Sequence, residues 1–220
     1  MSALIFDLDG TLVDTVYFHT LAWQRALSKV AIDIDAALLH RLIGIDGDLL
    51  MTESARTAGR ELSRQQMDDT SARHAEIFAQ LCPRPRPTTG AAELLSVLKR
   101  AQVPHGIATS GEKKGAVPAL RALKLGRSAV VVDGSEARAA KPAPDLFLKC
   151  RRRLKVGLKA VFVIGDAVWD VLAARRAGML AVGLSCGGFG EDELYQAGAF
   201  RVYRNPAALL DSLAHLGIHV

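Results

Sequence analysis

The chain has 220 residues, half of them hydrophobic and 23% charged, with 28 Lys and Arg against 23 Asp and Glu for a net charge of +5. This composition excludes a disordered or collagen-like chain, and the length allows a core that needs no disulfide or metal staple. No apolar run reaches the roughly 18 residues of a membrane span, and Cys82, Cys150 and Cys186 are scattered and odd in number, so neither a disulfide framework nor a CxxC zinc site is expected.

Short apolar runs that end in a polar residue or glycine are read as buried parallel strands, because strands covered on both faces lose the apolar-polar alternation. The first is Ala3-Leu4-Ile5-Phe6, which runs into Asp7; that charge also argues against a signal peptide, and a reducing cytoplasm is expected. From about Thr15 to Leu81 helical spacing takes over. Leu21, Ala22, Arg25 and Ala26 open this stretch, Leu38, Leu39 and Leu42 continue it, and Gly44-Ile45-Asp46-Gly47 reads as a turn. Cys82-Pro83-Arg84-Pro85-Arg86-Pro87 follows as a stiff link. Ala91, Leu94, Leu95 and Leu98 form a helical stripe ahead of a second strand, His105 to Ala108, which ends at Thr109. The next helix is expected to start near Gly115 to Val117, with Pro118 in its first turn. Ala129 to Val132 runs into Asp133. Lys149-Cys-Arg-Arg-Arg-Leu-Lys155, the densest basic stretch, reads as the solvated face of a helix with Leu154 and Val156 turned inward. Ala160 to Ile164 runs into Gly165-Asp166, Val171 to Ala174 is helical, and Leu180 to Leu184 runs into Ser185.

The alternation of strand and helix predicts an α/β fold, a Rossmann-like doubly wound parallel sheet. The strandless stretch predicts an all-helical domain inserted after the first strand. The core then comprises residues 1–14 and 88–220, and the insertion residues 15–87.

In open α/β sheets ligands bind outside the carboxyl ends of the strands, where this reading places Asp7, Thr109 and Asp166. In Asp7-Leu8-Asp9-Gly10-Thr11, residues two apart point the same way and Gly10 permits the bend. Two carboxylates held together repel unless a cation binds or one keeps a proton. Both outcomes suit phosphoryl transfer, with one carboxylate as nucleophile and a neighbouring acid protonating the leaving oxygen. By itself the pair also fits a turn capped by aspartates. Asp166 and Asp170 supply a second carboxylate group, and oxygen ligands suit magnesium; either acid alone also fits a helix N-terminus. Thr109-Ser110-Gly111 reads as a phosphate nest or an ordinary N-cap. Lys141, beside the rigid Pro142-Ala143-Pro144 turn, either neutralises phosphate charge or is a surface lysine.

Taken together and in this order, these segments resemble the haloacid dehalogenase superfamily, in particular its phosphoglycolate phosphatase and β-phosphoglucomutase-like members with a helical cap. Asp-Leu-Asp-Gly-Thr-Leu-Val-Asp-Thr (7 to 15) looks like the first family motif and Ala-Thr-Ser-Gly (108 to 111) like the second. Lys-Pro-Ala-Pro-Asp (141 to 145) is similar to the third, and Gly-Asp-x-x-x-Asp (165 to 170) with Ala-Ala-Arg-Arg-Ala-Gly (173 to 178) to the fourth. The resemblance implies that Asp7 is the nucleophile, Asp9 the general acid and base, and Lys141 the bridge between Asp7 and phosphate. Thr109, Ser110 and Gly10 would bind the phosphate. Mg2+ would sit among Asp7, the Asp9 main-chain carbonyl and Asp166, supported by Asp170. The helical insertion would be a mobile cap that excludes water and selects the substrate, with His19, Tyr17, Gly44, Ile45 and Asp46 as its candidate contacts.

Dehalogenase members lack the second aspartate, so Asp9 points to phosphoryl transfer. The resulting expectation is a magnesium-dependent phosphatase for a small phosphorylated metabolite, phosphoglycolate or a sugar phosphate, working through an aspartyl-phosphate. A phosphomutase is the alternative. The related mutases carry a cap Ser-Arg pair after a glycine, where this chain has Ile45 and Asp46, and an acid where Gly165 stands; both departures favour hydrolysis. Ala167 replaces a usual serine or threonine, and Ala139-Ala140 a more common glycine-containing turn. A non-catalytic protein using its basic surface is a third reading. No nucleic acid or membrane partner is expected, and the chain is read as a monomer or weak dimer. Trp169 is assigned to the pocket wall or to packing between cap and core, and Arg41, Arg56 and Arg60 are cap cations of unassigned direction.

Overall fold

A computed structural model describes residues 2–126, 129–139, 141–158 and 161–220, with the side chain of Lys113 excepted. Six parallel strands form one sheet in the order β3-β2-β1-β4-β5-β6. They are β1 (Ala3–Phe6), β2 (His105–Ala108), β3 (Val130–Val132), β4 (Val161–Gly165), β5 (Leu180–Leu184) and β6 (Arg201–Tyr203). The sequence reading has no counterpart of β6, a three-residue edge strand whose first residue is an exposed arginine. Of the predicted run Ala160 to Ile164, Ala160 lies outside the described residues, as does Ala140 of the Ala139-Ala140 pair.

The continuous apolar runs are explained by helices on both faces of the sheet. Leu4 and Phe6 of β1 join Ile107, Phe162, Ile164, Val182 and Leu184 on one face. There they meet α5 (Ala91–Arg100), α6 (Lys113–Ala122) and α10 (Pro206–Asp211). Ala3 and Ile5 point the other way with Val161 and Val163, against Leu146, Phe147 and Cys150 of α7 (Asp145–Leu154). On that face α8 (Val168–Arg176) contributes Val171, Ala173 and Ala174, and α9 (Glu191–Ala197) contributes Leu194. Each fully buried Leu, Ile or Phe removed from water contributes roughly 1.5–3 kcal/mol before the entropy of ordering is counted.

Between β1 and α5 lie four helices, α1 (Val16–Ser28), α2 (Ala36–His40), α3 (Gly47–Thr57) and α4 (Arg64–Leu81). They share their own apolar cluster, built on Trp23, Leu27, Ile32, Leu39, Leu50 and Met51. Ser63 and Gln66 start α4 with reciprocal capping bonds. The chain leaves and re-enters the α/β layer side by side. Asp14 N–H donates to the Arg86 carbonyl at 2.9 Å, Thr88 N–H to the Leu12 carbonyl at 3.0 Å, and Val13 bridges Pro87.

Pro118 lies in the interior of α6 and not in the first turn that the sequence predicts. It has no N–H for the Lys114 carbonyl, four residues earlier, and its ring crowds that group. The helix persists because Pro118 faces solvent while Ala116 and Ala119 anchor the other side to the sheet. Restoring the helical bond is worth up to about 3 kcal/mol, part of which is offset by the freer unfolded chain. Pro118→Ala is therefore expected to stabilise the protein by about 1–2 kcal/mol, seen as a higher urea midpoint with unchanged slope.

Candidate active site

The sheet order places β1 between β2 and β4, with Phe6 in register with Ile107 on one side and Ile164 on the other. The residues that follow these strands, Asp7, Thr109 and Asp166, therefore emerge together at the carboxyl edge of adjacent strands, which lie about 4.8 Å apart. The main chain continues the pairing there: Asp7 N–H donates to the Ile164 carbonyl at 2.8 Å, and Thr109 N–H to the Val132 carbonyl at 3.0 Å.

Carboxylate oxygens of Asp7, Asp166 and Asp170 lie within 4.8 Å of one another, and all three residues are buried. Lys141, only 1% exposed, reaches into this group. Its Nζ is 2.5 Å from Asp7 Oδ1 and 2.9 Å from Asp170 Oδ1. Lys141 is thus a buried cation that bridges two acids, and the surface-lysine reading of its motif is excluded. The second Asp170 oxygen accepts the Ala167 N–H at 3.1 Å and ties the acid to the start of α8. Ala167 thus donates its main-chain N–H at a position where the family pattern usually has a serine or threonine. Asp166 accepts the Thr11 hydroxyl at 2.6 Å, and its other oxygen is enclosed by backbone, since a Cβ at either Gly10 or Gly187 would collide with Oδ2. Gly10, at φ +83°, needs the left-handed conformation as well as the space.

One ammonium does not balance three carboxylates. Burial pushes Asp7 up to about 7, and the Asp170 and Asp9 charges add to this against the pull of Lys141. Burial likewise holds Asp166 well above the ordinary carboxylate range, with Asp170 and Asp7 adding to it. Burial tends to lower Lys141, but Asp170 and Asp7 more than reverse this and keep it charged. A compact set of carboxylate oxygens with surplus negative charge is the donor chemistry of a hard divalent cation, so the residues present fit magnesium.

Asp9 occupies a different environment, and its carboxylate is not part of this cluster. One oxygen accepts the Thr15 hydroxyl at 2.7 Å and faces His19 Nε2 at 3.5 Å; the other is 3.4 Å from the Thr109 hydroxyl. Burial raises Asp9, but the His19 contact, the Thr15 bond and Lys141 outweigh it and leave the acid below its ordinary range. His19 Nδ1 lies 3.1 Å from His74 Nε2, and Phe78 stacks on His19 at 3.9 Å. Burial pushes His74 well below the usual imidazole range.

Thr109 and Ser110 stand at the end of β2. The Thr109 oxygen accepts the Gly111 N–H at 3.1 Å, and the Ser110 hydroxyl donates to the Gly44 carbonyl at 3.2 Å. The turn over residues 44–47 therefore sits on the site, with Asp46 N–H also 3.3 Å from the Lys141 carbonyl. Ile45 is buried in the helical cluster. The Asp46 carboxylate, a candidate cap contact, caps α3 by accepting the Asp48 and Leu49 N–H groups. Tyr17 is exposed and stacks on His40. Trp169 packs between the two layers and donates Nε1–H to the Arg41 carbonyl at 2.8 Å. Arg41 pairs with Glu193 and Arg56 with its helix neighbour Glu53.

Thr11 and Thr15 fall inside the first motif, which assigns them no role; three further neighbours of the site, His40, His74 and Gly187, carry no sequence signal of their own. His40, His74 and Gly187 act across 147 and 55 positions of chain, where spacing says nothing.

A six-stranded parallel sheet with acids on the central strand ends, a buried lysine and a threonine beside them defines an α/β enzyme whose site has the groups for phosphoryl-transfer chemistry. The chain belongs to the haloacid dehalogenase-like hydrolase family, whose model matches residues 1–178. A β-phosphoglucomutase of Bacillus subtilis is 31% identical over 85% of this chain and 84% of its own length. A phosphoglycolate phosphatase of Rhodospirillum rubrum is 30% identical over 96% and 90%. The crystal structure of a hydrolase from Pseudomonas syringae is 38% identical and superposes with a TM-score of 0.95 over 98% of this chain and 99% of that one. No helix among the described residues is long and apolar enough to cross a membrane.

A raised carboxylate makes the metal-free protein sensitive to alkali. Between the unfolded value of 3.8 and about 7, native Asp7 holds protons that the unfolded chain has lost. Its stabilising share is full below that window and disappears as pH rises through it, at no more than about 1.4 kcal/mol per pH unit for one proton. In EDTA, urea midpoints of the wild type should fall more between pH 5 and 8 than those of Asp7→Asn. Added Mg2+ should raise the wild-type melting temperature more at pH 8 than at pH 5.5.

Proposed function

We propose that this protein is a magnesium-dependent phosphatase for a small phosphorylated metabolite, of the phosphoglycolate or sugar phosphate class, and that residues 15–87 form its cap. The observation that carries this reading is the unlike treatment of two carboxylates two residues apart. Asp7 lies in the acid cluster against Lys141, while Asp9 is held outside it by Thr15 and His19. That division suits one nucleophile and one proton carrier.

Lys141 favours the ionised form of Asp7 and aligns it so that one carboxylate oxygen attacks phosphorus in line. Thr109, the Ser110 main chain and the Gly10 turn receive the phosphate oxygens. Asp9 stands ready for the leaving group, and the negative charge of an arriving ester raises its proton affinity from the depressed value of the free protein. After the ester oxygen departs with that proton, Asp9 is again a base and draws a proton from the water that cleaves the aspartyl-phosphate. Asp7, Asp166 and the Asp9 main-chain carbonyl, with Asp170 in support, would hold magnesium, which would neutralise charge on the transferring group. The 44–47 turn, resting on Ser110 and Lys141, covers the site and excludes bulk water.

Hydrolysis is favoured over mutase chemistry by position 165. A side chain there would collide with Asp170, so this chain has no room for the acid found in the mutase pattern. The 44–48 turn also offers no arginine for a second phosphate.

The test is phosphate release from phosphoglycolate, hexose and pentose phosphates and nucleoside monophosphates, with and without Mg2+. Asp7→Asn is expected to reduce turnover at least about 1,000-fold, in line with the loss of an essential nucleophile, with an unchanged circular dichroism spectrum. Substantial activity in the folded variant would remove Asp7 from its role. A 31P NMR spectrum showing an isomerised sugar phosphate in place of free phosphate would turn the reading to a mutase.

A further inference from the structure

The carboxyl end of α2 grips the turn that walls in Asp166. His40, the last residue of α2, is buried, and its Nε2 lies 2.9 Å from the Gly187 carbonyl. A carbonyl only accepts, so Nε2 carries the proton in this contact. The imidazole is fixed on two sides, stacked with Tyr17 at 5.2 Å between centroids and tilted against Phe189 at 5.6 Å. Gly188 fits the ring closely: a Cβ there would stand 2.7 Å from His40 Nε2 and 2.6 Å from the Tyr17 hydroxyl, and its φ of +102° suits only glycine. The neighbouring Arg41 adds two further links, an ion pair with Glu193 at 2.7 Å and its carbonyl to Trp169 Nε1 at 2.8 Å.

The gripped turn, Ser185–Gly187, is one wall of the acid cluster. The Gly187 backbone lies so close to Asp166 Oδ2 that no side chain fits between them. Cys186 Sγ, 3.2 Å from the Gly10 carbonyl, ties the same turn to the loop that closes the other side of Asp166. The Asp166 carboxylate is therefore clamped between two glycine backbones, one of which takes its position from a histidine on the helical segment.

We propose that His40 is a positioning residue for the metal site: its bond to Gly187 holds the 185–187 turn against Asp166, so that seating of α2 and the affinity for Mg2+ are coupled. This rests on the reading of Asp7, Asp166 and Asp170 as a magnesium site. Catalytic contact with substrate is not required of His40, and the coupling works through hydrogen bonding and packing alone.

His40→Phe keeps a ring between Tyr17 and Phe189 but removes the donor. His40→Gln keeps an amide N–H able to reach a carbonyl. Arg41→Gln removes the ion pair to Glu193 and the guanidinium over Phe189 while keeping the His40 bond to Gly187. Binding is read on metal-free protein, without substrate, by the loss of the free Mn2+ EPR signal and by Mg2+ competition. His40→Phe is expected to weaken both ions about tenfold, with His40→Gln and Arg41→Gln within about twofold of wild type. Equal affinity in wild type and folded His40→Phe overturns the inference and leaves the metal site standing. If His40→Phe does not fold, Cys186→Ala, which cuts the other tether of the turn, should weaken binding severalfold; wild-type affinity there overturns the inference. Wild-type protein that binds neither ion defeats the magnesium reading itself, and the inference with it.

Discussion

One ammonium group, that of Lys141, faces three buried carboxylates, and much of the site follows from this imbalance. Burying charges is costly unless they are paired, and removing one partner of such a set costs several kcal/mol because the remaining charges are stranded. Lys141 satisfies Asp7 and Asp170 directly, while Asp166 is left with a neutral threonine hydroxyl. The surplus negative charge is tolerated in the free protein by holding protons that ordinary carboxylates would have released. A divalent cation bound among these oxygens would neutralise it instead. The same set of side chains is thus adapted to two charge states, and the surrounding packing has to hold the acids together in both.

The fold meets that requirement by using strand ends. The three acids do not depend on a flexible loop: Asp7 and Asp166 extend adjacent strands in fixed register, and Asp170 is pinned by an N–H at the start of α8. Lys141 comes from a loop, but α7 immediately after it is anchored by Leu146 and Phe147, both fully buried beneath β1. The cluster therefore inherits the rigidity of the sheet. Asp9, three residues past the end of β1, instead faces α1 and α4, where His19 and His74 meet.

Much of this was legible in the sequence because buried parallel strands show as uninterrupted apolar runs, and the runs of the three central strands end at Asp7, Thr109 and Asp166. Asp7, Thr109 and Asp166 were found in this way, and the family resemblance added roles for Asp9, Lys141 and Asp170. The unread parts have physical reasons. Strand β6 is short and half-exposed, with too little apolar content to stand out. Pro118 was assigned by local preference, which the packing of Ala116 and Ala119 overrode. Asp46 is a candidate contact by its place in the 44–47 turn, and its bonds to two N–H groups of its own helix carried no sequence signal of their own. His40 and His74 could not have been placed at all, since the groups they touch are brought to them only by the closing of helices over the sheet.

The paired crossing at residues 12–14 and 86–88 has a further consequence. Both ends of the helical segment are attached at one spot and are hydrogen-bonded to each other. A segment held this way can be lengthened, shortened or replaced without changing the register of any strand. The strand ends that carry Asp7, Thr109 and Asp166 and the helical segment that lies over them therefore occupy separate stretches of the sequence, joined at a single crossing.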